Sequence, residues 1–213
     1  MSYQTVFKND HFIIVDKRAN ILSVPSRMGE ADPRICLGRL LEEDLVCRIY
    51  PVHRLDFEVQ GLIMYALTPE AQRAANGWFE NKHIQKIYSA ITKSSGQFKA
   101  GETFEWTCKL LRGKKRAYES PAGKDSLTRA RLISIDESGN SHWELEPVTG
   151  RSHQLRYELF RHDETIIGDQ LYGSTEIFKP AGIALRAFKI DFSKIKNREI
   201  FFLPENICVK KLE

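Results

Sequence analysis

The amino-acid sequence predicts an α+β fold in which strands outnumber helices. Apolar residues recur mostly with a period of two or in short unbroken blocks. Only three stretches carry a helical period, and the two kinds of segment do not alternate as regular βαβ units. A chain of 213 residues has room for one substantial core, so a single domain over residues 1–213 is expected. With 42% hydrophobic and 28% charged residues, the composition is that of a globular protein and not of a disordered or fibrous one.

Each element has its own local reason. Phe12-Ile13-Ile14-Val15 reads as a short buried strand, and residues 16–20 as the turn after it, with Asn20 able to adopt the left-handed conformation. Asp32-Pro33 has the form of a helix start, with Asp as cap and Pro in the first turn. Cys36, Leu37, Leu40 and Leu41 follow as an apolar stripe. Residues 61–67 are apolar after the glycine and read as a buried strand. Thr68-Pro69-Glu70 opens a second helix, which places Ala71, Ala74, Ala75, Trp78 and Phe79 on one face.

Residues 84–91 alternate as a strand, with Lys86, Tyr88 and Ala90 on the face opposite Ile87, Ser89 and Ile91. Phe104, Trp106, Cys108 and Leu110 alternate in a further strand, and Gly113 and Pro121-Ala122-Gly123 mark turns. Residues 129–135 and 143–148 form two antiparallel strands, residues 152–161 a helix after the Gly150 turn, and residues 183–192 another alternating strand. Phe201-Phe202-Leu203 closes the core before Pro204.

Composition excludes several function classes. Cys36, Cys47, Cys108 and Cys208 are scattered without a Cys-x-x-Cys pair or matched histidines, so neither a metal site nor a disulfide frame is expected. The longest apolar run, residues 62–67, falls far short of a bilayer span, and no export signal is visible. A cytoplasmic protein without membrane partners is expected. The net charge of +4 is unevenly placed. Residues 109–131 hold eight basic side chains (Lys109, Arg112, Lys114, Lys115, Arg116, Lys124, Arg129 and Arg131) against Glu119 and Asp125, a net of +6 that leaves −2 elsewhere. Such a patch suits a polyanion, although a solvated loop would carry the same charges.

Pro51-Val52-His53-Arg54-Leu55-Asp56 sets a carboxylate beside two potential cations, just ahead of the apolar strand at Gly61. A surface salt bridge would give the same tetrapeptide. A likeness to the His-Arg-Asp loop of protein kinases fails, because the order differs and neither a glycine-rich loop nor Asp-Phe-Gly is present.

Four separated motifs, in order, change its meaning: His53-Arg54-Leu55-Asp56 with Gly61; Lys86-Ile87-Tyr88; Gly150-Arg151-Ser152-His153-Gln154-Leu155-Arg156; and Gly168-Asp169-Gln170-Leu171-Tyr172-Gly173. In these the chain resembles the RluA-type pseudouridine synthase family, over nearly its whole length. The resemblance implies the pseudouridine synthase fold, a mixed, largely antiparallel sheet with flanking helices and a central catalytic cleft. No N-terminal S4-type domain is expected ahead of residues 1–6. Four positions, at two places, depart from the family's usual pattern: Val59 and Gln60 stand where Thr-Ser is common, and Arg18 and Asn20 where Lys-Pro-x-Gly has Pro and Gly.

The implied reaction turns a uridine of RNA into pseudouridine. It breaks the glycosidic C–N bond, turns the uracil over and rejoins it through carbon, so no cofactor is expected. A carboxylate is needed at the ribose, as nucleophile, as stabiliser of oxocarbenium-like charge or as base, much as glycosidases use one. The resemblance gives that role to Asp56, makes Arg156 its buried partner, sets Tyr88 against the flipped uracil and lines the pocket with Leu155. His53, Arg54, Arg151, His153 and Gln154 are the implied RNA contacts, together with Lys114, Lys115 and Arg116 of the basic stretch.

The expected partner is a stem-loop of transfer or large-subunit ribosomal RNA, bound by a monomer; unpaired, flippable bases suit a small protein of this kind. A non-catalytic RNA-binding or RNA-folding protein on the same scaffold is the alternative, which would predict loss of Asp56, Tyr88 or Arg156. A glycosidase-like hydrolase would want a second acid, and Glu58 is the only one near.

Overall fold

In the computed structural model, which describes residues 2–212, the chain runs β1 (Tyr3–Lys8), β2 (Phe12–Lys17), α1 (Leu37–Leu45), β3 (Tyr50–Pro51), β4 (Gln60–Ala66) and α2 (Pro69–Glu80). It continues through β5 (Gln85–Lys93), β6 (Thr103–Arg112), β7 (Ala117–Glu119), β8 (Lys124–Ile135), β9 (Asn140–Pro147) and α3 (Gln154–Arg161). β10 (Leu185–Asp191) and β11 (Asn206–Cys208) end it, and short 3-10 turns lie at Gly29–Ala31, Gln170–Tyr172 and Arg198–Phe201. The architecture is α+β, with antiparallel strand pairs flanked by helices, as the sequence predicts. The chain divides into two compact units, Met1–Ile84 with Ala187–Val209, and Gln85–Arg186 with Lys210–Glu213.

In the first unit β1, β2, β4 and β10 are successive neighbours, with β3 against β4 and β11 against β10. Phe12, Ile14, Leu62, Met64 and Ala66 of β2 and β4 pack with Ala71 and Ala75 of α2 and with Ile190, Phe192, Leu203 and Ile207. Each large aliphatic or aromatic side chain buried there contributes about 1.5–3 kcal/mol. The α2 start is as predicted: Pro69 lies in the first turn and the Thr68 hydroxyl accepts the Ala71 N–H at 3.1 Å. Gly61 has no alternative. Its φ is +117°, and a Cβ there would lie 2.2 Å from the Ala187 carbonyl oxygen, so β4 and β10 approach through the missing side chain.

The second unit is the antiparallel series β5-β9-β8-β6-β7. β8 begins at Lys124, five residues before the alternation suggests, because it pairs with β6 from Leu110↔Lys124 to Thr103↔Arg131. Trp106, Trp143 and Leu145 of these strands are buried, as are Leu155 and Leu159 of α3, which packs against β7, β8 and β9.

Three predicted elements are corrected. Asp32-Pro33 does not open α1. The Asp32 carboxylate is drawn to Arg34, accepting from its backbone N at 3.1 Å and from Nε and Nη2 at 2.9 and 2.6 Å. The bridge Leu22↔Cys36 keeps the next residues extended, and the helix starts at Leu37. Phe201-Phe202-Leu203 does not close the core as a block: Leu203 is buried, while Phe202 has φ +48° and is 73% exposed. α3 starts at Gln154, preceded by His153 in the left-handed region.

Candidate active site

In the first unit Asp56 lies, half-buried, in the loop between β3 and β4, and the structure braces the main chain on both sides of it. On the N-terminal side, the Ser23 hydroxyl donates to the Leu55 carbonyl at 2.9 Å and accepts the Leu55 N–H at 3.1 Å. Ser23 is held in turn by the Tyr65 hydroxyl, which donates to its carbonyl at 2.7 Å. On the C-terminal side, Asn20 donates its N–H to the Phe57 carbonyl at 2.8 Å, and the Val59 N–H closes a turn onto the Asp56 carbonyl at 3.2 Å. Asn20 adopts φ +61°, so the turn after β2 survives with Asn in the place of Gly.

Lys17 completes the brace. It ends β2 opposite Gly61 and is fully buried. Its ammonium donates to the carbonyls of Ile21 at 2.9 Å, Arg18 at 3.0 Å and Phe57 at 3.4 Å. Burial lowers its pKa to about 8, against the opposing pull of the Asp56 and Glu58 carboxylates. Lys17 has no role assigned from the sequence. Its signal was a lysine at the inward end of an apolar strand, which calls for several acceptors.

His53 is turned into the fold: its Nε2 accepts the Met64 N–H at 2.9 Å, and its ring lies 5.0 Å from that of Phe79. Arg54 is exposed. Val59 is 3% exposed, so at this departure from the family pattern a core methyl group stands in place of a hydroxyl.

In the second unit β5 carries Tyr88, 6% exposed, with Lys86 two residues before it; burial lowers the Lys86 ammonium to about 8. α3 carries Leu155 and Arg156, 6% and 1% exposed. Arg156 makes a two-pronged pair with the equally buried Asp169, Nε to Oδ2 and Nη2 to Oδ1, both at 2.7 Å. Its guanidinium also lies 5.5 Å from the centre of the buried Tyr172 ring. The glycines of this fourth motif have a geometric cause. Gly168 (φ +87°) would bring a Cβ to 2.8 Å from the Gly182 carbonyl, and Gly173 (φ +96°) ends the turn that holds Tyr172. Asp169 and Tyr172 had no assigned role in the sequence, because only the fold brings them to Arg156.

The other predicted contacts divide by exposure. Gln154 is 3% exposed and committed inside the fold. Its Oε1 accepts from the Thr149 hydroxyl and the Arg151 N–H, and its Nε2 donates to the Leu127 carbonyl and the Thr128 hydroxyl. Arg151 donates from Nε to the Asp125 carbonyl at 2.8 Å, and His153 Nδ1 lies 3.4 Å from the Tyr172 hydroxyl. Lys114, Lys115 and Arg116 form the exposed tip of the β6–β7 hairpin. Farther along, Arg129 is paired with Glu105 and Glu146, and Lys109 stands opposite Asp125 in the register of β6 and β8. Among the described residues no group of three His, Cys, Asp or Glu side chains is placed to hold a metal ion, and no helix is long and apolar enough to cross a membrane.

Comparison with known proteins agrees with these motifs. The RNA pseudouridylate synthase family matches residues 11–161. The chain is 30% identical over 176 residues to the dual-specificity RNA pseudouridine synthase RluA of Yersinia pestis, covering 80% of this chain and 82% of that protein. It is 29% identical over 180 residues to the protein of the same name from Escherichia coli K12, covering 80% and 77%. Its fold is similar to that of human RNA pseudouridylate synthase domain containing 1, with a TM-score of 0.72, 21% identity and coverage of 89% of this chain and 78% of that one. Human RNA pseudouridylate synthase domain containing 4 also gives 0.72, at 16% identity, over 98% and 88%. The chain belongs to the RluA-type family of RNA pseudouridine synthases, isomerases that act on RNA.

Proposed function

We propose that this protein isomerises one uridine in a stem-loop of transfer or large-subunit ribosomal RNA, with Asp56 as the carboxylate that acts at the ribose. The observation that carries this reading is the brace around Asp56: Lys17, Asn20 and Ser23 fix the main chain at Leu55 and Phe57. Rigid placement of a reacting group is what a positioned carboxylate needs in order to act on a flipped nucleotide. The C1′–N1 bond breaks and a C1′–C5 bond forms. The C5 proton is lost and N1 gains one, so the reaction balances without an imported group.

Tyr88 and Arg156 are the further catalytic residues of this reading, the tyrosine against the uracil. Leu155 lines the pocket, and Arg54, Arg151, Lys114 and Lys115 meet RNA phosphates. His53 and Gln154 are the further RNA-side residues of this reading, each held in place within its own unit, His53 by the Met64 N–H and Gln154 by the Leu127 carbonyl and the Thr128 hydroxyl. The chain works as one catalytic domain and as a monomer.

The test is a pseudouridine map of total cellular RNA with and without the gene, complemented by wild type or by Asp56→Ala. One site should vanish on deletion and return with wild type alone. A site restored equally by Asp56→Ala would remove Asp56 from the chemistry.

A further inference from the structure

Tyr172 is contacted from two sides of the second unit. Besides the Arg156 guanidinium, the guanidinium of Arg116 lies 5.6 Å from the centre of its ring and 5.4 Å from that of Phe160 on α3. Arg116 Nη1 also donates to the Leu171 carbonyl at 3.3 Å. The Tyr172 hydroxyl ties to the next residue of the same hairpin, accepting the Ala117 N–H at 3.0 Å and reaching the Ala117 carbonyl at 3.1 Å. The tip of the basic hairpin is therefore fastened to the ring that walls the Arg156–Asp169 pair. The adjoining lysines, Lys114 and Lys115, are exposed.

A planar guanidinium set against two aromatic rings, whose own centres are 5.6 Å apart, is held by its shape as well as its charge. A phosphate drawn to Lys114 or Lys115 pulls on a hairpin whose anchor is Tyr172. Tyr172 is 1% exposed, so it has no room to move independently of its neighbours.

We propose that Arg116 is a positioning residue: through Tyr172 it sets the placement of Arg156, and so couples RNA contact at the hairpin to the arginine of the reaction. The proposal rests on the reading of this chain as an RNA pseudouridine synthase with Arg156 in its site. The bland alternative is that Arg116 is one more phosphate contact.

Two substitutions separate these. Arg116→Lys keeps the charge and loses the planar guanidinium, and Arg116→Ala loses both. In a positioning role both lower kcat about tenfold, and Arg116→Lys leaves KM near the wild-type value. In a phosphate-contact role Arg116→Lys restores kcat and KM together, which overturns the proposal. A readout without turnover is the hydrogen-exchange rate of the Arg156 Nε proton, followed by NMR in the free protein. It should rise several-fold in both Arg116 variants and stay at the wild-type rate in Lys115→Ala, whose side chain is at the same tip. An unchanged rate in Arg116→Ala also overturns the proposal. A wild-type protein that modifies no RNA would instead overturn the reading beneath it, while the exchange rates would still decide whether Arg116 positions Arg156.

Discussion

The Asp56 loop and the Arg156 turn hold their charged groups in opposite ways. Around Asp56 the brace grips main chain: Ser23, Asn20 and Lys17 bind backbone groups of Leu55 and Phe57. Around Arg156 the brace grips the side chain itself, through the Asp169 carboxylate and the Tyr172 ring. A loop gripped by its backbone keeps its path when a side chain on it is altered. A buried ion pair has no such tolerance, because removing one partner strands the other charge away from water.

The largest effect should come from the second region. Asp169→Ala leaves the Arg156 guanidinium without its two-pronged partner, and a stability loss of about 3–5 kcal/mol is expected in urea unfolding. A loss below about 1 kcal/mol would show that the pair is not held as tightly as the geometry indicates.

Lys17→Met sharpens the contrast through pH. In the folded protein the ammonium titrates near 8, against 10.5 for an ordinary lysine. Below pH 8 it is charged in both states. Between pH 8 and 10.5 the unfolded chain binds the extra proton, so stability rises with pH, by on the order of 2–3 kcal/mol across the window. The wild-type-minus-variant stability difference should therefore slope upward from pH 8 to 10.5. A flat difference would mean that Lys17 titrates normally.

Ser23→Ala should have the smallest effect, about 1–2 kcal/mol, from loss of one buried hydroxyl that both donates to and accepts from Leu55. Activity should fall further than this loss of stability explains, because the segment entering Asp56 loses its fixed point. Equal activity in the folded variant would make the Ser23 tie dispensable.

How legible each region was in the sequence follows the same division. Apolar periodicity marked β2, β4, β5 and β6, and the Thr68-Pro69 start marked α2, because a strand face or a helix cap is dictated within a few residues. The start of α1 was misplaced because Asp32 had a competing local partner, Arg34, and because Leu22, far back in the chain, pairs with Cys36. β1 and β11 were missed: β1 is half polar and β11 only three residues long.

Asp56, Tyr88 and Arg156 carry roles through their motifs, whereas Lys17 and Asp169 carry none in the sequence. Lys17 lies 39 positions before Asp56, and Asp169 lies 13 after Arg156. Their meaning depends on which carbonyls and cations the fold sets beside them. Gln154 shows the converse, a polar residue within a motif whose amide is fully used by backbone and hydroxyl groups of its own unit.

The discontinuous make-up of the first unit has a consequence for biosynthesis. The Asp56 loop is encoded in the first third of the chain, yet β4 needs β10 beside it, and Ile190, Phe192, Leu203 and Ile207 complete its core. At about 5–20 residues per second, the ribosome takes roughly 6 to 25 s to pass from residue 84 to residue 209. During that time the apolar edge of β4 waits without its neighbour. The second unit takes only residues 210–213 from beyond residue 186, so β5, β6, β7, β8, β9 and α3 are all synthesised before the strand that the Asp56 unit still lacks.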